Sequence, residues 1–219
     1  MEDFKRIAPS LVDQTPAEDE QIEWMFLMQH PGAPTRLLDW TESVLVALYF
    51  AVDENGGSDG EIWCLWGEEL NVLSGSHGVP LSGYPVLTYL ANESRKTDLT
   101  DLGYFAKNLN LDERPQKPLA IRPTLHFPRM VNQLSTFTIH PPPTEGNSIP
   151  ELLTDEKHLA LYRVPQNKKR ELKAGLHALG ITKRTLFPDL DSLSVSVVEA
   201  LEIVSYGPPT PPRFRPRKK

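Results

Sequence analysis

The stretch from residue 29 to residue 51, QHPGAPTRLLDWTESVLVALYFA, constrains the fold more than any other part of the chain. Pro31, Gly32 and Pro34 stiffen its first part, because proline presets φ and glycine reaches backbone conformations that other residues rarely adopt. The run from Val44 to Val52 is apolar on nearly every side, which predicts a central, buried helix. Rigid loops anchored on buried helices commonly present binding or catalytic groups. The segment therefore predicts a functional polar loop in front of a core helix.

Composition places the chain among soluble globular proteins. It has 219 residues, of which 39% are hydrophobic and 21 are proline, and this predicts an α/β or α+β protein with long irregular connections. The net charge of −6 argues against nucleic-acid binding over the whole surface. The basic segment RFRPRKK at the end of the sequence could still attract phosphates or an acidic surface.

Cysteine usage and hydropathy indicate in which cellular compartment the protein is expected. The single cysteine, Cys64, lies in the apolar run IWCLW and is expected to be buried, since it has no partner for an internal disulfide. The first fifteen residues lack the apolar core of a signal peptide, and no run approaches the ~20 apolar residues that cross a bilayer. These patterns predict a cytoplasmic protein that does not contact a membrane.

Periodicity and turn residues divide the chain into three parts. Residues 1–20 are expected to form an arm or loop, residues 21–205 a single domain, and residues 206–219 a disordered, basic, proline-rich tail. Within the domain, helices are predicted at the end of IEWMFLMQH, over SVLVALYFAV, near TDLTDLGYFAKNL, over NKKRELKAGLHALG and over DSLSVSVVEALEIV. Strands are predicted at GEIWCLWG, STFTIH and HLALYRVP, and a strand or turn at ITKRTLFPD. We therefore expect one α+β domain with a small mixed or antiparallel sheet and packed helices.

Details of three helices can also be predicted. Thr41 or Ser43 is expected to cap the helix over residues 44–52, and Asp191 or Ser192 the last helix. In NKKRELKAGLHALG, three leucines share one face and Gly180 suits the position just past the helix end; the leucines are Leu172, Leu176 and Leu179.

Seven polar residues within thirteen positions form the first candidate site: Gln29, His30, Thr35, Arg36, Asp39, Trp40 and Thr41. Arg36 and Asp39 could form an internal ion pair that pins the loop against Trp40, or Arg36 could hold a phosphate or carboxylate while Asp39 orients it. His30 suits a general base or ligand as well as a hydrogen-bonded structural residue.

Two further polar groups lie later in the chain. Arg129 and Gln133 precede the strand STFTIH, where Gln133 could hydrogen-bond a ribose or simply satisfy neighbouring backbone. Asp189 and Asp191 precede the last helix and suit capping. The sequence has no HExxH motif, no Cys/His cluster, no P-loop, no GxGxxG and no GxSxG, so we expect no metal.

Several of these segments together resemble the FRG domain family. QHPGAPTRLLDWTESVLVALYFAV matches its pattern QH-x-G-x-PTRLLDWT-x-S-x-x-x-ALYFA, and GEIWCLW, PRMVNQLSTFTIH and GITKRTLFPDLDSL resemble its later segments in the same order. The resemblance covers about residues 6–200. Three features depart from it: no FRG tripeptide precedes APSLV, Asp13 replaces an arginine, and Ser135 replaces a glycine. The resemblance therefore implies a domain shortened at its N-terminus.

The family layout is similar to that of ADP-ribosyltransferases, which implies an NAD cofactor bound in a cleft between sheets. By this similarity Gln133 would orient the reacting ribose and His30 would share the catalytic role. The cofactor would be bound by Gln29, Thr35, Arg36, Asp39, Trp40, Thr41 and Arg129. Such chemistry relies on positioning and electrostatic stabilisation and needs no metal.

Two other functions remain open at this stage. The chain could be a non-catalytic module of a bacterial defence or signalling system that binds a nucleotide or a protein. Gln133 favours this alternative slightly, because an amide cannot act as a base where many transferases carry a glutamate. The polar residues could also form a buried hydrogen-bond network that only rigidifies the fold.

Overall fold

The computed structural model describes residues 1–53, 57–74, 78–81, 117–141 and 148–205. Two compact units are interleaved along the sequence. Unit 1 comprises Met1–Glu42, Trp63–His126 and Ser135–Leu161, and unit 2 comprises Ser43–Ile62, Phe127–Leu134 and Tyr162–Lys219. The expected α+β class with small sheets is confirmed.

Helices and strands alternate irregularly along the chain. The strands are β1 (Leu37–Thr41), β2 (Gly60–Leu65), β3 (Leu119–Ile121), β4 (Ser135–Ile139) and β5 (Leu159–Val164). The helices are α1 (Glu2–Ile7), α2 (Gln21–Gln29), α3 (Val44–Asp53), α4 (Gly67–Leu73), α5 (Pro128–Asn132), α6 (Ile149–Leu152), α7 (Lys169–Ala178), α8 (Lys183–Leu186) and α9 (Leu190–Ser205), with 3₁₀ turns at Ala8–Ser10 and Gln166–Lys168. The predicted strands at GEIWCLWG, STFTIH and HLALYRVP are confirmed.

Unit 1 is built on an antiparallel sheet in which β4 lies between β1 and β3. Because side chains alternate between the faces of a strand, one face collects apolar residues. Phe26 of α2 covers this face, with its ring centroid 4.7 Å from that of Phe137. The buried side chains of the face are Leu37, Leu119, Ile121, Phe137 and Ile139.

The opposite face of this sheet packs on α4. Leu70 and Ala120 form a buried cluster with Ile149, Leu153 and Leu159, and Trp40 packs against it. Asn71 has no exposed surface, and its side chain hydrogen-bonds both backbone groups of Ala120. The amide therefore continues the hydrogen-bonding pattern of the sheet beyond β3.

The polar segment before α3 differs from the expected loop. Residues 37–41 form β1, which pairs with β4 from Leu37 opposite Ile139 to Thr41 opposite Ser135. The prolines and glycine stiffen only the approach to this strand. Pairing with β4, almost a hundred residues later, makes LLDWT a strand, and a local pattern cannot reveal that partner.

The core of unit 2 is formed mainly by α3 and α7. Its buried residues are Val46, Tyr49, Ala51, Val52, Val164, Leu176 and Leu186. Ser43 caps α3, since its Oγ accepts a hydrogen bond from Val46 N over 3.4 Å. The expectation that α3 is buried on nearly every face is wrong, because Val44 is 68% exposed and Phe50 42%.

The end of unit 2 departs from the sequence prediction at two places. ITKRTLFPD forms the short helix α8 rather than a strand or turn, because Thr182 and Thr185 satisfy its first backbone donors as a capping box. The last helix is capped by Asp189, whose Oδ1 accepts from Ser192 N over 2.6 Å. It therefore starts earlier than a cap at Asp191 or Ser192 would allow.

Other expectations have mixed outcomes. Gly180 adopts φ +80° just past α7 and is confirmed as the residue that ends the helix. Leu179, expected on the buried face, is exposed, and Cys64 is exposed rather than buried. The N-terminal segment, expected to be an arm or loop, contains α1.

The predicted helix near TDLTDLGYFAKNL and the predicted disordered tail, residues 206–219, lie outside the described residues. In the part of the chain that is described, none of the helices combines the length and the apolar character needed to span a bilayer.

Candidate functional site

A chain of three polar side chains connects the end of α2 to β1. Thr35 Oγ1 donates to Gln29 Oε1, and Gln29 Nε2 donates to Asp39 Oδ2 over 2.7 Å. Thr35 Oγ1 also accepts from Leu37 N over 3.1 Å, which fixes the hydroxyl at the start of the strand. Asp39 itself is exposed. The result is an exposed carboxylate held in place by an amide that is itself held by a hydroxyl.

Arg36 is bound to the far end of β4. Its guanidinium Nη1 donates to the carbonyl oxygen of His140 over 3.1 Å, and its own carbonyl accepts from His140 N over 2.8 Å. Arg36 and His140 therefore extend the β1–β4 pairing by one residue pair. The half-buried side chain of Arg36 adds a second hydrogen bond to this extra residue pair.

Trp40, Thr138 and His140 form a third hydrogen-bonded group. Trp40 Nε1 lies 3.2 Å from Thr138 Oγ1, and the same oxygen lies 3.0 Å from His140 Nε2. Thr138 is only 1% exposed, and burial lowers the pKa of His140 below its usual value of 6.5. Thr138 and His140 were not among the predicted site residues. The alternation of Thr136, Thr138 and His140 in STFTIH was the signal that could have placed them on one face.

The structure gives Arg36 and Asp39 different partners. Along an extended strand, side chains three positions apart point to opposite faces. Asp39 accordingly meets Gln29, whereas Arg36 meets His140. The internal Arg36–Asp39 ion pair is therefore replaced by two separate hydrogen-bonded groups.

His30 and Thr41 lie at the two ends of this predicted site. His30 is exposed, and its backbone N–H donates to the carbonyl of Phe26 at the end of α2. Thr41 is half-buried opposite Ser135. Both residues belong to unit 1, together with the other five polar residues of the first candidate site.

Gln133 and Arg129 belong to unit 2, where they meet the LFPD segment. Gln133 is 9% exposed, and its Nε2 donates to the carbonyl of Leu186 over 3.2 Å. The guanidinium carbon of Arg129 lies 4.6 Å from the centre of the Phe187 ring, a cation–π contact. The second and third polar groups of the sequence are thus a single assembly.

Asp189 completes this assembly at the start of α9. Hydrogen bonds from Ser192 lower the pKa of the Asp189 carboxyl, and the positive charges of Arg129 and Lys183 add to the effect. The sequence predicted helix capping for Asp189 and Asp191, and Asp189 is the residue that caps α9. In the part of the chain described, no three His, Cys, Asp or Glu side chains are grouped as a metal site.

The comparison with protein families matches residues 1–60 to the FRG domain. This range contains α2, β1 and α3, and with them Gln29, Thr35, Arg36 and Asp39. No curated protein and no solved structure matches the chain significantly. The match over these 60 residues supports the resemblance to the FRG domain family.

Proposed function

We propose that the chain is a nucleotide-binding module, that its ligand contacts come from the segment between Gln29 and Thr41, and that NAD is the first ligand to test. The observation that carries the proposal is the exposed Asp39 carboxylate, oriented by Gln29, which Thr35 orients in turn. A group held in its binding geometry loses little conformational freedom when a ligand arrives.

The chemistry of this group suits a ribose. An acidic side chain accepts hydrogen bonds from ribose hydroxyls in many dinucleotide-binding proteins. Asp39 has one oxygen engaged by Gln29 Nε2, and a carboxylate has about four lone-pair directions. The exposed His30, next to Gln29 in sequence, offers a second polar group for the same ligand.

Gln133 favours binding over transfer of ADP-ribose. The transferase similarity requires its amide to orient a reacting ribose. In this protein the residue is 9% exposed and donates to the Leu186 carbonyl, which supports a structural role. ADP-ribosyl transfer is therefore the second candidate, and a turnover assay separates it from binding.

Isothermal titration calorimetry with NAD, ADP-ribose and AMP tests the proposal. The variant Asp39→Asn keeps an acceptor for Gln29 but removes the charge, and we expect it to weaken binding about tenfold or more, as for loss of a charged hydrogen bond. Asp19→Asn removes an exposed carboxylate elsewhere in unit 1 and should leave the affinity unchanged. A folded protein that binds none of the three ligands would show the proposal to be wrong.

Turnover is measured separately, as nicotinamide released from NAD. Binding without release is the expected result. Release that disappears in a folded Gln133→Ala variant would instead identify an enzyme.

A further inference from the structure

We infer that His140, through its neutral imidazole, is a positioning residue for the proposed site and makes that site sensitive to pH. Only the final step, the effect on ligand affinity, rests on the proposed nucleotide binding. The preceding steps concern hydrogen bonds within unit 1 and can be tested without any ligand.

His140 closes the end of the β1–β4 pair next to the proposed site. Its backbone N–H and carbonyl both engage Arg36, over 2.8 and 3.1 Å. Its ring reaches Thr138, which in turn contacts Trp40. His140 thus holds Arg36, which directly precedes β1, and Trp40 within β1, and Asp39 lies between these two residues in the sequence.

The donor and acceptor roles in this group follow from simple counting. The indole Nε1 of Trp40 can only donate, so Thr138 Oγ1 is the acceptor of that bond. The Thr138 hydroxyl has one proton of its own, and His140 Nε2, 3.0 Å away, can accept it only with an unprotonated ring nitrogen. The oxygen has a second lone pair and could also accept from a protonated Nε2, but the Thr138 proton would then have no acceptor among the described residues. The arrangement therefore favours the neutral tautomer with its proton on Nδ1.

Protonation of His140 breaks this arrangement. The imidazolium donates from Nε2 to the second lone pair of an oxygen that already accepts from Trp40, and the proton of Thr138 loses the acceptor that the neutral Nε2 provides. Since Thr138 is 1% exposed, water cannot readily replace that partner. We expect the hydrogen bond between Trp40 and Thr138 to weaken as a result.

The surroundings of His140 also favour its neutral imidazole. Just before β1, the positively charged Arg36 lies opposite His140, whereas Asp39 lies on the other face of the strand. On the other side of β4, strand β3 has the sequence LAI and carries no titratable side chain. Burial lowers the pKa of the His140 imidazole, which favours the neutral form.

The first test follows the indole N–H resonances of the four tryptophans by NMR as the pH is lowered, with Trp40 assigned from Trp40→Phe. We expect the Trp40 resonance to shift with a midpoint below 6.5, the usual pKa of the imidazole. In His140→Gln, whose amide oxygen replaces the acceptor but does not titrate, that transition should disappear. His177→Gln, a half-buried histidine of unit 2, is the control and should keep it.

Two results would overturn the inference: a Trp40 resonance that does not respond while His140 titrates, or an unchanged transition in His140→Gln. Thr138→Val provides a second check, because removing the hydroxyl should uncouple Trp40 from the titration even where the fold persists.

The second test measures NAD affinity against pH. If neutral His140 is required, the affinity of the wild type falls below the midpoint by at most about tenfold per pH unit, and that of His140→Gln falls less. Equal pH profiles in both proteins would contradict the positioning role. If NAD does not bind at any pH, the proposed function fails, whereas the indole titration still decides the role of His140.

Discussion

Gln133 Nε2 donates a hydrogen bond to the main-chain carbonyl of Leu186 over 3.2 Å. This bond joins the segment before β4 to the short helix α8, and Arg129 stacks on Phe187 beside it. Two polar motifs that are more than fifty residues apart in sequence therefore belong to one structural assembly. The hydrogen bond to Leu186 gives Gln133 a role in holding this assembly, and its role in orienting a substrate stays a prediction.

Replacing Gln133 by glutamate tests that explanation. A carboxylate would face the Leu186 carbonyl with no proton to donate, so we expect the free energy of unfolding to fall by about 2 kcal/mol or more. Urea denaturation measures the change, and Gln14→Glu, at an exposed position, should have little effect. Unchanged stability together with new ADP-ribosyl transfer would assign Gln133 to catalysis.

Asn71→Asp should destabilise unit 1 strongly. Asn71 Nδ2 donates to the carbonyls of Gly78 and Ala120, and its Oδ1 accepts from Ala120 N. Aspartate has the same shape, but one of its carboxylate oxygens would face these two carbonyl oxygens in a site with no exposed surface. We therefore expect the free energy of unfolding to fall by about 3 kcal/mol. Asn167→Asp at an exposed position is the control. If Asn71→Asp lost no more stability than Asn167→Asp, the buried site would accept a negative charge and the prediction would be wrong.

Leu134→Gly should stabilise unit 2. Leu134 has φ +47°, which strains a backbone that carries a side chain, and the residue is 46% exposed, so only part of its apolar surface is lost on replacement. Relief of the left-handed strain outweighs the entropic cost of glycine by about 0.5–1 kcal/mol. Leu179→Gly provides the opposite case, because φ there is −85° and glycine should lower stability. Chemical denaturation of both variants decides the matter, and a destabilised Leu134→Gly would contradict the prediction.

Asp189 should make the start of α9 sensitive to acid. Its pKa is lowered from 3.8, chiefly by hydrogen bonds from Ser192, so the folded state favours the carboxylate. The stabilisation is present above the unfolded-state pKa and disappears as the pH falls through the lower folded-state value. The melting-temperature advantage of the wild type over Asp189→Asn should therefore be larger near neutral pH than at about pH 3. Asp13→Asn, which alters an exposed carboxylate, should show no such dependence.

Local sequence patterns predicted those elements whose signals are local. The apolar runs before and after the polar segment placed α2 and α3, and alternating β-forming residues placed β4. Gly180 marked the end of α7 because a left-handed residue is needed there. The linear motif around residues 29–51 also carries the resemblance to the FRG domain family, because a sequence motif can be recognised without knowledge of tertiary contacts.

Tertiary structure decided how the polar residues are used. β1 is a strand because it pairs with β4, and that pairing sends Arg36 and Asp39 to opposite faces. In the fold, Gln133 donates a hydrogen bond to the carbonyl of Leu186, and Thr138 and His140 lie next to Trp40. A sequence shows which donors and acceptors a chain possesses, but the partner of each is set by contacts between residues far apart along it. The sequence alone therefore determined the family resemblance and the main elements, and only the fold assigned partners to the site residues.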